Sequence, residues 1–222
     1  MDLSAQTEAA ATTEVGSVER GRLLQAWSNR LAEHVKGSPD AEAEADVFWA
    51  ILSFIWTHDH RGACHDTSAI AHILLAELGQ SPVLYIGEVK PPRPGYFDHS
   101  WVEISGKIFD PAVSLPSLDP SSRYASGPVF AGIDLSTNQP TAVSYDYASD
   151  EGLVNPASII ALKDLSSYKV FQSRVPVNGA LIPEQRLLWP LATRIAADAG
   201  LSVTPGELEA KYGSVRRVFR GT

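Results

Sequence analysis

The sequence predicts an α+β protein, and three observations carry that class. Apolar residues recur at helical spacing through the first 80 residues. Short β-prone runs separated by turn residues follow between about 81 and 147, and amphipathic helix returns near the C-terminus. Helices come first, an antiparallel sheet second, helices last.

Residues 1–18 are mostly Ala, Thr, Glu and Ser and are expected to form a disordered tail. The remainder, 19–222, is expected to be a single domain, with its core at about 58–147 and a helical extension at about 150–222. Leu23, Leu24, Trp27 and Leu31 place a helix over Arg20–Val35, stopped by Gly37-Ser38-Pro39. Ala41–Thr57 is a second helix, acidic at its start, where negative charge suits the helix dipole. After the polar loop His58–Ala63, the run Cys64–Leu78 carries Ile70, Ile73, Leu74, Leu75 and Leu78 around most of its circumference. That pattern marks a central, buried helix, with Gly79 as terminator.

Ser81–Val89 reads as a strand, and the three prolines of Lys90–Gly95 make a connector. His99–Ile104 and Lys107–Pro111 flank Ser105-Gly106, a two-residue hairpin turn. Ala112–Gly127 reads as loop. Val129–Leu135 and Thr141–Tyr147 flank 136–140 as a second hairpin. Helices are expected at Asn155–Leu162, Glu184–Ala199 and Pro205–Tyr212.

Of 222 residues, 44% are hydrophobic and 20% charged, as in a globular protein. The net charge of −8 argues against nucleic acid or an anionic membrane as partner. The longest apolar stretch, near Phe48–Trp56, is too short to span a bilayer. No basic segment followed by an apolar one opens the chain, and its single cysteine cannot form an internal disulfide. These features point to the cytoplasm, although a protein exported by a non-classical route would carry the same ones. No cofactor is expected, and the sequence sets no oligomeric state.

The chemistry centres on that cysteine. Cys64 stands in Arg61-Gly62-Ala63-Cys64-His65-Asp66, at the start of the buried helix. There the helix dipole and unpaired backbone N–H groups favour a thiolate and can hold an oxyanion. Gly62 admits close backbone approach, and Asp66 or Thr67 is placed to cap neighbouring donors. Downstream come His99, in His99-Ser-Trp-Val-Glu-Ile104, and Asp110, in Ile108-Phe-Asp-Pro111. If Ser105-Gly106 is the whole turn, Ile104 faces Lys107 and Trp101 faces Asp110. Asp110 then shares a sheet face with His99, one diagonal step away, roughly 7–8 Å along the backbone. A turn one residue longer would put the carboxylate on the wrong face. Trp56, His58, His60 and Trp101 are candidates for a further oxyanion donor or a substrate wall.

Other polar residues have plainer readings. Glu103 is expected to be a solvated strand residue, His65 and Asp66 solvent-facing or capping, and His72 a core histidine. The set His58, Asp59, His60, Cys64, His65 and Asp66 contains good zinc ligands, but its spacing fits no zinc pattern. Adjacent helical residues also point about 100° apart, so no metal is expected.

Gly62-Ala-Cys64 before an apolar helix, a strand, then His99-Ser-Trp-Val-Glu and Phe-Asp110-Pro resembles the transglutaminase-like superfamily of papain-like folds. The resemblance covers about residues 60–112, under a third of the chain. It implies a papain-like core, with the Cys-bearing helix packed on an antiparallel sheet, and a Cys64–His99–Asp110 triad. The superfamily includes cross-linkers, peptidases, deamidases and the proteases that trim lasso-peptide precursors. The related arylamine N-acetyltransferases share Arg61-Gly62-x-Cys64, but the second glycine and the glutamate that follow in their motif are missing here.

The expected activity is acyl transfer from an amide of a peptide or protein through a thioester. Hydrolysis by a protease or deamidase is favoured over transglutamination, because transfer needs a second, water-excluding amine site. The alternative is a non-catalytic binding module that keeps the fold.

Overall fold

The structure, a computed structural model, describes residues 3–92, 94–116, 126–150, 152–153, 160–166 and 187–220. It has α+β architecture. Three helices lead: α1 (Leu3–Val35), α2 (Pro39–Thr57) and α3 (Cys64–Glu77). Helix α1 starts inside the segment whose composition reads as a disordered tail, and the alanines and glutamates there are strong helix formers. Helix α2 opens with Pro39 and carries Asp40 and Glu42 in its first turn, the acidic start expected. Helix α3 is buried from Asp66 to Ala71 and again from Ile73 to Leu75, as its all-round apolar pattern requires.

After the strands, among the described residues, a short helical stretch at 162–166 is followed by α4 (Leu188–Asp198) and α5 (Pro205–Tyr212). Thr204 and Glu207 close a reciprocal capping box at the start of α5. The helix assigned to Asn155–Leu162 lies largely outside the described residues, as does the first part of that assigned to Glu184–Ala199. No helix among the described residues is long and apolar enough to cross a membrane.

The main sheet runs β3 (Lys107–Phe109), β2 (Phe97–Ile104), β1 (Pro82–Lys90), β7 (Ser144–Tyr147). Strands β1 and β2 pair antiparallel along their length, from Pro82 opposite Ile104 to Val89 opposite Phe97. Strand β8 (Val218–Arg220) also pairs with β1, in parallel, from Tyr85 opposite Val218 to Gly87 opposite Arg220. The sheet is therefore mixed rather than purely antiparallel. The β2–β3 turn has the expected two residues, Ser105 at φ +50° and Gly106 at φ +75°, and Ile104 faces Lys107.

The second predicted hairpin is placed differently. Val129–Leu135 is not one strand but two, β4 (Val129–Phe130) and β5 (Ile133–Asp134), turned at Ala131-Gly132. Strand β6 (Gln139–Pro140) completes a small three-stranded sheet. Strand β7 leaves it to pair with β1 at Glu88 and Lys90. Residues 135–138 thus turn within the small sheet, 139–140 form its third strand, and β7 joins the large one.

The two faces of the main sheet are buried by different partners. Leu84, Val102 and Phe109 pack with α1, α2, α3 and α4 in the larger core. On the other face Trp101 is fully buried with Val89, Val113, Val129, Val143 and Tyr145. Its ring lies 5.7 Å from that of Tyr85 and 5.1 Å from that of Tyr145.

Gly87 lets β8 dock. A Cβ there would fall 2.5 Å from the Arg220 backbone oxygen and 3.0 Å from the Trp101 ring. Backbone cannot yield as a flexible side-chain tip can, so Gly87→Ala must push β8 away from β1. The expected cost is about 1–3 kcal/mol, read as a lower denaturation midpoint at unchanged slope. Gly21→Ala, in helix α1 with nothing within 4 Å, is the control and should raise stability by about 0.5–1 kcal/mol.

Candidate active site

The turn register delivers the geometry. His99 Nε2 lies 2.7 Å from Asp110 Oδ2, with both side chains buried. Asp110 is fully engaged. Its Oδ2 also accepts from the Tyr145 hydroxyl at 2.8 Å, and its Oδ1 accepts from the backbone N–H groups of Ala112 and Val113 at 3.1 Å each. These contacts use both carboxylate oxygens and fix the carboxylate plane. The backbone of Asp110 exchanges two hydrogen bonds with Val129, at 2.7 and 2.9 Å, so the small sheet holds it as well.

With Nε2 occupied by Asp110, the other ring nitrogen of His99 is the one open to Cys64, which lies near enough to act on the imidazole. Burial alone would strip the proton from the imidazole. The charge and hydrogen bond of Asp110, then the contact with Cys64, more than reverse this and lift His99 to about 10. Tyr145 is held well above its ordinary value, first by burial and then by the Asp110 charge, so its hydroxyl stays a donor.

Cys64 is half-buried and opens α3. Gly62, at φ +63°, turns the chain into the helix, and its N–H is held by the Leu115 carbonyl at 3.3 Å. The N-cap, Ala63, offers no side-chain cap. The expected caps do other work. The Thr67 hydroxyl donates back to the Ala63 carbonyl at 2.8 Å, and Asp66 is buried, with His60 Nε2 3.8 Å from its Oδ2. Helix α3, which Cys64 opens, therefore has no capping side chain at its N-cap position.

Of the four oxyanion or wall candidates, three have their ring N–H groups committed elsewhere. Trp56 Nε1 donates to Ser114 Oγ at 3.0 Å. His58 stacks on Phe54, with Nδ1 3.0 Å from the Phe54 carbonyl and Nε2 3.3 Å from Arg194 on α4. Trp101 is a buried core residue donating to Glu103 at 3.2 Å, so it forms no substrate wall. Its ring is near-parallel to that of His99 at 6.5 Å, which backs the imidazole. His60, beside Asp66, is the candidate left near the start of α3.

Glu103 is not solvated. It is buried, and both its oxygens lie 3.0 Å from Arg220 Nη1. His72 is partly buried and pushed below its ordinary value by burial, with its Nδ1 buried and unpartnered. Among the described residues no group of three His, Cys, Asp or Glu side chains is placed to hold a metal ion.

Two residues near His99 and Cys64 escape a reading by motif. Tyr145 was legible only as the middle of the alternation Val143, Tyr145, Tyr147. Arg217 follows α5 and precedes β8. It is 7% exposed, donates from Nε to Ser100 Oγ at 3.1 Å and from Nη2 to the His65 carbonyl at 2.8 Å. The apolar pair Val218-Phe219 was its only signal.

No family model, no curated protein and no solved structure matches the chain.

The His99 shift has a consequence for stability. An imidazole raised on folding from 6.5 to about 10 contributes stability that is fully present below about pH 6.5 and is lost as pH climbs toward 10. Denaturation midpoints should therefore fall across that window. His99→Gln, which still offers Asp110 an N–H, should flatten the slope there.

Proposed function

We propose that this protein is a cysteine-nucleophile enzyme acting on amide bonds of peptides or proteins through a thioester, with Cys64 as nucleophile, His99 as base and then acid, and Asp110 orienting the ring. The observation that carries the reading is the buried His99, bonded through Nε2 to Asp110 at 2.7 Å, with Cys64 at the start of α3 near enough to act on the same imidazole. Three residue types in working order, each fixed by a different element, favour chemistry over a filler cysteine. The transglutaminase-like, papain-like core belongs to the same proposal, supported by a Cys-bearing helix packed against a sheet that supplies the histidine and then the aspartate.

The steps follow from the geometry. His99 takes the Cys64 proton, and Asp110 stabilises the imidazolium. The thiolate attacks the amide carbon, and the oxyanion is stabilised by the N-terminal end of α3. His99 protonates the leaving amine as the C–N bond breaks, leaving a thioester. Water, deprotonated by His99, attacks the thioester and returns the thiol. Hydrolysis is the preferred outcome, because water is always at hand and transfer needs a site for a second amine. A reducing cytoplasm would keep the lone thiol active.

Iodoacetamide tests the pair without knowledge of the substrate. Across about pH 4 to 9, Cys64 in the wild type should label fast well into the acidic range, and His99→Gln should lose that acidic reactivity. Slow labelling that tracks an ordinary thiol in both proteins would overturn the enzyme reading in favour of a binding module.

A further inference from the structure

We propose that Arg217 is a positioning residue of this site, strapping the nucleophile's helix to the base's strand and lending its charge to the Cys64 sulfur. The inference rests on the reading of Cys64 and His99 as a reactive pair. It adds a component that lies more than 150 residues from Cys64 in the chain.

The contacts define the role. Arg217 Nη2 holds the carbonyl of His65, the residue after Cys64, at 2.8 Å, and its Nε holds the hydroxyl of Ser100, the residue after His99, at 3.1 Å. One planar guanidinium thus ties the neighbour of the nucleophile to the neighbour of the base. A fork of fixed geometry sets that spacing better than a flexible ammonium can. Ser100 is itself saturated: its hydroxyl donates to the Tyr85 carbonyl at 2.7 Å and accepts from Ser68 of α3 at 2.8 Å as well as from Arg217. The anchor cannot swing.

The charge matters as much as the strap. Arg217 is almost wholly buried, which weighs against its charged form, and the neighbouring Cys64 and Asp66 support that form. A guanidinium does not give up its proton in a protein, so the cation persists. His99 from β2 and Arg217 from the segment before β8 both act on Cys64 through their charge, Asp66 of α3 faces the Arg217 charge as well, His60 of the preceding loop lies 3.8 Å from Asp66, and His65 follows Cys64 on α3. Asp66 opposes a thiolate, and the cation beside it offsets that opposition in a region of weak screening. Packing alone favours an apolar side chain here, because burying a charge is costly. The sequence instead spends an arginine, delivered by a strand whose docking depends on Gly87.

The test is the pH–rate profile of Cys64 alkylation by iodoacetamide in wild type, Arg217→Gln, Arg217→Lys and Ser100→Ala, each checked for fold by circular dichroism. Arg217→Gln should move the midpoint upward by about one pH unit, about tenfold in rate on the acidic side. Arg217→Lys, which keeps the charge, should recover most of that shift. Ser100→Ala should move the midpoint the same way by less. A wild-type midpoint in folded Arg217→Gln would overturn the proposal, and so would equal shifts in the Gln and Lys variants, since packing alone would explain them. Should Arg217→Gln not fold, an unmoved midpoint in Ser100→Ala is the overturning result. A wild type without acidic reactivity would instead sink the underlying reading of the pair, an outcome distinct from all of these.

Discussion

The hydrogen bond between His99 and Asp110 is the contact on which the site depends, and a two-residue turn makes it. Side chains alternate along a strand, so an added residue at Ser105-Gly106 would send either the imidazole or the carboxylate to the opposite face. The bond would then be lost and a buried carboxylate left without its cation, a change that costs several kcal/mol, about 3–5 in comparable buried pairs. Everything around Asp110 guards against this. Two backbone N–H groups, the Tyr145 hydroxyl and the bridge to Val129 hold the carboxylate before the histidine meets it.

Electrostatics make the pair useful. His99 is buried, yet its imidazolium is favoured because the Asp110 carboxylate bonds it and the nearby Cys64 supports the same charge. Burial without Asp110 would give a neutral ring and an ordinary buried cysteine. The start of α3, where Cys64 stands, adds the positive end of the helix dipole. These features cost stability elsewhere in a typical protein, and clustering them in one place is what separates a site from a packing detail.

Much of this was legible in the residues. The all-round apolar run from Ile70 to Leu78 marks a central helix whatever surrounds it, and Ser105-Gly106 between two β-prone runs fixes both a turn and a register. Periodicity does not see across the chain. Glu103 reads as a solvated strand residue because its strand alternates, but Arg220, arriving from a strand more than 100 residues later, draws its buried carboxylate into a half-buried ion pair. Arg217 is hidden for the same reason: its neighbours in sequence say nothing of Ser100 or His65. The second hairpin failed on turn chemistry. Ala131 at φ +51° is an uncommon residue for a left-handed position, so the Ala-Gly turn gave way to the polar 136–140 stretch as the apparent break.

His99 is held as an imidazolium by Asp110, with Cys64 nearby. Nitrogen-15 NMR of the histidine rings at about pH 8, where a free imidazole has lost its proton, tests it most directly, with Cys64→Ala and His99→Gln used to assign the signals. The account predicts a His99 ring with both nitrogens protonated and one proton far downfield in the bond to Asp110. A neutral His99 ring protonated on one nitrogen at that pH, in the folded wild type, would contradict it.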